Sequence, residues 1–340
     1  MANAVTSDTQ LTLEGLELKR GVRSRRRIPV LELPDGSRVE IPVTAIRGVQ
    51  PGPVLYLGAG VHGDEVNGVE IVARLTRELD PGELRGTILA VPVQNPTAFQ
   101  IQHRFPVGHL LKSPMDQNPA DVFSSFPGDP EGNMAALIAH TLFEQLMRPA
   151  DYMLDIHTPT TGGRYAPFAF LPPPRCGAVV QEAEALARAF GADFILANDR
   201  GMYVGDKNPH VVCAEHGRVA FGIELGEGGR LEPTEVERGI RGLRNLLRAV
   251  SMIPGETEEF GRRVVIRTMT IVRARRGGIL HQRAALGTDV VAGEVIAEVR
   301  DVFGDVLEEV RAPHAGPIVR IATFPIVSTG ERVAQLGVLR

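Results

Sequence analysis

Cysteine appears only twice in the 340 residues, as Cys176 and Cys213. Without CxxC spacing these two form no disulfide framework, zinc knuckle or redox pair, and both are expected as buried free thiols. Long apolar runs are also missing. The longest, such as Pro53–Ala59, fall far short of the ~20 residues that cross a bilayer, which argues against a membrane protein. The opening MANAVTSDTQLTLEG has neither the basic nor the apolar segment of a secretory signal, so the expected location is cytoplasmic. Lysine is nearly absent, with Lys19, Lys112 and Lys207 the only three among 37 basic residues. No sign of charge dominates either. Against 41 acidic residues the net charge is −4, so no global field attracts nucleic acid. One local basic cluster, Lys19, Arg20, Arg23, Arg25, Arg26 and Arg27, merges into the alternating pattern IPVLEL and reads as a solvated strand edge rather than a phosphate-binding arm. What is present, 43% hydrophobic and 23% charged residues, is the composition of a soluble globular chain, long enough for about two domains.

From Arg26 to Gly48 apolar and polar residues alternate around Pro34-Asp35-Gly36, which predicts a β-hairpin. Continuous apolar strands follow at Pro53–Gly60, Thr87–Val93, Tyr152–Ile156, Phe194–Ala197 and Val219–Glu224. Helical spacing separates them over Glu65–Leu79, Asn133–Met147, Ala178–Phe190 and Thr234–Val250. This alternation predicts an α/β fold with a mostly parallel or mixed central sheet covered by helices on both faces. Between Phe99 and Asn133 lies an irregular stretch with five prolines, the kind of connection that often walls or lids a site. From about Phe260 short glycine-punctuated strands take over, so the chain divides into an α/β domain over 1–255 and a smaller all-β, barrel-like module over 256–340.

Three apolar strands end in residues suited to metal or proton chemistry. LYLGAGV runs into His62-Gly63-Asp64-Glu65, YMLDI into His157, and VAFGI into Glu224. In open α/β sheets sites form outside the carboxyl ends of the strands, so these residues can converge on one crevice. His62 and Glu65, three apart at a strand-to-helix turn with Gly60 and Gly63, can ligate one ion. His157 would complete a His2Glu set with an open fourth position, the catalytic rather than the structural type of zinc site. Such a zinc lowers the pKa of its water to about 7 and polarises a carbonyl. Glu224 is then placed to move a proton from that water to a leaving amine. Each residue also has a plainer reading: HxxE occurs by chance, a strand-end histidine is often a hydrogen-bonded turn residue, and Glu224 could cap the next helix. Asp155 shares a strand face with His157 and could support His157 or Arg104, or form a buried ion pair with no catalytic role.

The segments GAGVHGDEVNGVE, VPVQNPTAF, DIHTPTTGG and GIELGEGG, in this order, resemble the succinylglutamate desuccinylase/aspartoacylase family of zinc-dependent amidohydrolases, relatives of the zinc carboxypeptidases. The resemblance runs from about Pro42 to Val250. It implies a zinc carboxypeptidase-like fold, one Zn2+ per chain on His62, Glu65 and His157, Glu224 as acid/base, and Arg104 as the arginine that stabilises the oxyanion. It also implies hydrolysis of a linear amide in a small N-acyl compound.

The sequence departs from the family in one place. Members usually carry an Asn-Arg pair just before FPG, where the arginine forks onto a substrate carboxylate. Here FPG is Phe126-Pro127-Gly128, and the pair is replaced by Phe123 and Ser124. Either another arginine such as Arg164 substitutes, or the substrate is not a usual N-acyl amino acid. Asn95, Ser124 and Arg164 are therefore the expected substrate-binding residues. The segment GTDVVAGEVIAEVRDVFGDVLEEVRAPHAGPIVRI resembles a biotinyl/lipoyl-type barrel, but no lysine follows Lys207, so it cannot carry a cofactor. The module is expected to wall the entrance or contact another copy in a homo-oligomer, a dimer or tetramer, with His281 and His314 as surface or hydrogen-bonded residues. The rival readings are a carboxypeptidase-like hydrolase, weakened by the missing pair, and a non-catalytic zinc- or ligand-binding protein, weakened by the presence of Glu224 and Arg104.

Overall fold

The computed structural model describes residues 12–13, 16–105 and 121–339. The segment before residue 12, Lys112 and the central part of the proline-rich stretch lie outside the described residues. Two short strands, β1 (Thr12–Leu13) and β2 (Leu16–Glu17), pair with each other. The expected hairpin follows as β3 (Val22–Glu32) against β4 (Arg38–Arg47). Then come β5 (Gln50–Ala59), α1 (Val66–Glu78), β6 (Arg85–Val91), α2 (Pro96–Gln100) and α3 (Met134–Leu142). A single π-helical turn, Phe143–Met147, extends α3 before β7 (Tyr152–His157) and β8 (Gly163–Phe170). The α/β part closes with α4 (Val179–Phe190), β9 (Phe194–Leu196), α5 (Pro209–Glu215), β10 (Val219–Glu227) and α6 (Pro233–Ala249). The remaining strands are β11 (Val264–Arg273), β12 (Gly278–Gln282), β13 (Asp289–Val290), β14 (Val295–Arg300), β15 (Val306–Arg311), β16 (Gly316–Ala322), β17 (Ile326–Val327) and β18 (Arg332–Leu339).

Among the described residues twelve strands form one mixed sheet in the order β13-β16-β18-β11-β9-β8-β10-β7-β5-β6-β4-β3. β6, β5, β7 and β10 run parallel, and β8 lies antiparallel to β10. Alternation divides each central strand between two cores. Tyr56, Leu89 and Met153 face one apolar cluster, while Leu55, Leu57, Ile88, Ala90, Leu154 and Ile156 face the other. Both faces are thus covered, which is why these strands read as unbroken apolar runs. α6 buries Val236, Ile240, Leu243 and Leu247 on one stripe and packs against α1 and α4. Arg23, Arg25, Arg26 and Arg27 of the basic cluster lie along β3, at the edge of the sheet, where charge discourages pairing with another chain, and Lys19 and Arg20 precede it.

Two elements were not legible. α5 is buried all round, from Pro209 to Ala214, and so has no amphipathic period. β8, which contains Pro167, runs antiparallel beside β10. The C-terminal strands have their own core, including Leu280, Ile296, Val299, Val310 and Val333. They are nevertheless joined to the main sheet: β11 pairs with β9 and β16 pairs with β8. Cys213 is buried, whereas Cys176 is only half-buried in the turn Pro174–Cys176, a correction to the expectation of two buried thiols. His281 is exposed, and His314 hydrogen-bonds the Thr270 hydroxyl at 2.8 Å. No helix among the described residues is long and apolar enough to cross a membrane.

Candidate active site

Three strand ends build the site. After β5, Gly60 at φ +60° turns the chain, a conformation that costs glycine little. Gly63 then lies against α2 so closely that a Cβ would sit 1.9 Å from the Ala98 carbonyl oxygen. This turn places His62 and Glu65 immediately before α1. β7 ends at His157, directly opposite Glu224 on β10 in the parallel register. All four side chains are buried, and one ligand atom each from His62, Glu65 and His157 lie within 4.8 Å of one another.

The histidines face inward through the same atom. His62 Nδ1 lies 2.7 Å from Glu65 Oε1, and His157 Nδ1 lies 2.9 Å from Glu65 Oε2. Their outer nitrogens are each backed by a carboxylate, His62 Nε2 by Asp121 at 3.2 Å and His157 Nε2 by Asp155 at 2.9 Å. Asp155 is itself held by Gln94 Nε2 at 2.6 Å, and Tyr56 donates to Gln94 Oε1 at 2.7 Å. Asp155 therefore supports His157, not Arg104. Carboxylates behind both imidazoles orient the inner nitrogens, as around a bound metal. Burial alone would raise Glu65, but the His62 and His157 rings outweigh it and hold the carboxyl at about 2. An ionised carboxylate and two imidazole nitrogens on one buried spot form a donor set that could hold a metal ion.

Glu224 has the opposite character. Burial, and next the Glu65 charge, push it up to about 7, with His157 and a hydrogen bond from Tyr203 working against them. Its Oε1 accepts from the Tyr203 hydroxyl at 2.8 Å, and its Oε2 is buried with no partner among the described residues. Tyr203, at φ +66°, stacks on Phe170 with ring centroids 4.3 Å apart. Arg104 reaches the same cavity of about 410 Å³. Asp121 Oδ2 accepts from Arg104 Nε at 3.0 Å, and Arg104 Nη1 lies 3.3 Å from Thr160 Oγ1. Against its own burial, His62 and Arg104 hold the Asp121 carboxyl well below the usual carboxylate range.

The expected substrate residues fare differently. Ser124 lines the cavity. Phe123 packs edge-on to His157 at 5.2 Å and stacks on His210 at 6.1 Å, an apolar lid over the histidines. Asn95 is fully buried as the N-cap of α2, accepting from Ala98 N and Thr97 Oγ1, and does not face the cavity. Arg164 faces away as well. It pairs with Glu232 and Glu235 beside a separate cavity, because Gly163–Phe170 pairs with β10 on one edge and β16 on the other. Asp64 binds Thr161 through N and Oγ1 and ties two loops together. Sequence reasoning missed Asp121, Tyr203, Arg320 and Arg332, which also line or support the cavity. Of these only Asp121 carries a local signal, as the N-cap of the short turn Val122–Ser124.

Residues 51–250 match the family model of the succinylglutamate desuccinylase/aspartoacylase catalytic domain. The N-alpha-acetyl-L-2,4-diaminobutyric acid deacetylase of Halomonas elongata is 30% identical over 317 residues, covering 88% of this chain and 86% of that protein. A solved succinylglutamate desuccinylase/aspartoacylase from Rhodobacter sphaeroides has a TM-score of 0.80 at 27% identity, covering 98% of this chain and 99% of that one. The apo ectoine utilization protein EutE (DoeB) from Ruegeria pomeroyi has a TM-score of 0.78 at 25% identity, covering 95% of this chain and 97% of that one. The fold is that of these structures, the His62, Glu65 and His157 cluster falls within the matched region, and the chain belongs to the succinylglutamate desuccinylase/aspartoacylase family.

Proposed function

We propose that this protein is a zinc-dependent deacylase that hydrolyses the amide bond of a small N-acyl amino acid or N-acyl amine. The observation that carries this reading is the pairing of a buried His2Glu set with Glu224, whose Oε2 is buried in the same cavity without a partner among the described residues. His62, Glu65 and His157 would hold the metal, which when bound supplies Lewis-acid polarisation of a carbonyl and acidifies water. Glu224 Oε2 accepts the proton of the attacking water and returns it to the leaving nitrogen. The Tyr203 hydroxyl holds Oε1 and leaves Oε2 free for that transfer. Arg104 donates to the oxygen of the acyl carbonyl as negative charge develops there. Asp121 fixes both Arg104 and the outer nitrogen of His62, coupling oxyanion stabilisation to the histidine's orientation. The relationship to the Halomonas deacetylase makes N-α-acetyl-L-2,4-diaminobutyrate the first compound to try.

The test is amine release from a panel of N-acyl amino acids and N-acyl amines, before and after chelation and again with added zinc. Turnover that requires metal, and falls about 10²–10⁴-fold in kcat for Glu224→Gln, is the expected result. Unit zinc binding with no turnover on any panel member would replace this reading with a binding function.

A further inference from the structure

The family's carboxylate fork is missing at Phe123 and Ser124, Arg104 is already paired with Asp121, and Arg164 is spent on Glu232 and Glu235. Among the described residues two other cations line the cavity, Arg320 of β16 and Arg332 of β18. We infer that Arg320, assisted by Arg332, is the carboxylate-binding end of the active-site cavity, supplied by the C-terminal strands in place of the missing Asn-Arg pair. This rests on the hydrolase reading only in calling the ligand a substrate.

Arg320 is 9% exposed, yet among the described residues its Nη1 is buried with no hydrogen-bond partner and no carboxylate lies in ion-pair contact with it, Glu224 acting on it only through space. A buried guanidinium with no carboxylate in direct contact is costly to keep charged. Such a cost is relieved when a ligand brings the anion. The site is also built to hold the group in place. The guanidinium lies flat against Gly163, where a Cβ would sit 2.0 Å from Nη2, so a side chain there would displace it. On another side is the Tyr165 ring, with its centroid 6.0 Å from Cζ. Tyr165 is in turn anchored by a 2.7 Å hydrogen bond to Gln335 of β18. Arg320 stands opposite Tyr165 in the β16–β8 pairing, the same pairing that joins the C-terminal strands to the main sheet. Burial pushes the Arg320 guanidinium below its ordinary pKa and Arg332 adds like-charge repulsion, against the opposing pull of Tyr165, Tyr203 and the Glu224 carboxylate.

A planar fork with free N–H donors fits a carboxylate bidentately. The carboxylate can belong to the amine half, as in an amino acid, or to the acyl half, as in a dicarboxylic acyl group. Calorimetry on chelator-treated protein with N-α-acetyl-L-2,4-diaminobutyrate, its primary carboxamide and an N-succinyl alkylamine separates these sources without requiring turnover. Wild type should bind at least one carboxylate compound about 10- to 100-fold more tightly than the carboxamide, the scale of a charge-assisted hydrogen bond. Arg320→Met should bring that ratio close to one, Arg320→Lys should restore part of it, and Arg332→Gln should lower it. In the metal-loaded enzyme the loss should appear in KM more than in kcat. Because Arg320→Met removes an unpaired buried charge, it should melt no lower than wild type, which guards against misfolding as the cause. Carboxylate preference without turnover would keep the subsite and reject the hydrolase. Turnover with equal binding of acid and carboxamide in wild type would overturn the subsite and keep the hydrolase.

Discussion

Glu224, the proposed proton-transfer group, should destabilise the metal-free protein at alkaline pH. Its carboxyl is raised from 4.5 to about 7, first by burial and then by the charge of Glu65. The folded state therefore keeps a proton that the unfolded chain gives up near 4.5. The stability associated with that proton is full below 4.5 and is lost as pH rises through about 7. The rise from 4.5 to about 7 corresponds to about 3 kcal/mol at pH 8, and the 4% exposure of Glu224 leaves little solvent to screen it. Glu224→Gln removes this cost while keeping an oxygen for the Tyr203 hydroxyl. In a chain of 340 residues, with an unfolding entropy of about 0.7 kcal/mol/K, the gain is about 4 °C in Tm. The assay is thermal melting of chelator-treated wild type and Glu224→Gln at pH 8 and pH 5. The variant should melt higher at pH 8, and by pH 5 the advantage should shrink to about 1 kcal/mol or less. A variant that melts at or below wild type at pH 8, or whose advantage is the same at both pH values, refutes the reasoning. Glu65, held at about 2, titrates below this window and does not confuse the comparison.

Three further outcomes follow from the same geometry. Zinc at a hundred times its dissociation constant should stabilise wild type by about 2.7 kcal/mol, read as a Tm rise that His62→Ala abolishes. Asp121→Asn should weaken metal affinity about 10- to 100-fold by equilibrium dialysis and also lower kcat, because one carboxylate backs His62 and holds Arg104. Arg164→Gln should leave KM unchanged, since its ion pairs lie beside the other cavity, and should cost about 1 kcal/mol in denaturant unfolding.

The candidate site residues were legible because each follows the end of an apolar run. A strand covered on both faces gives a continuous hydrophobic word, and His62, Glu65, His157 and Glu224 stand where those words stop. Their supports were hidden for different reasons. Asp121 sits in an irregular stretch where a cap is all that spacing reveals, and Tyr203 reaches Glu224 only through a left-handed backbone turn. Arg164 stood as a candidate replacement for the missing Asn-Arg pair. Strand β8 instead carries it toward Glu232, which the sequence places 68 residues later.

Arg320 was the least accessible of all, and the reason is register. It reaches the cavity because β16 pairs with β8 so that Ala322 lies opposite Gly163 and Arg320 opposite Tyr165. Side chains alternate along a strand, so a slip of one residue would turn Arg320 to the other face and present Ile321 to the cavity. Gly163 also limits alternatives, because only a residue without a Cβ leaves room for the guanidinium at that crossing. The position of one cation thus depends on a pairing between segments more than 150 residues apart, information that periodicity within either segment does not contain.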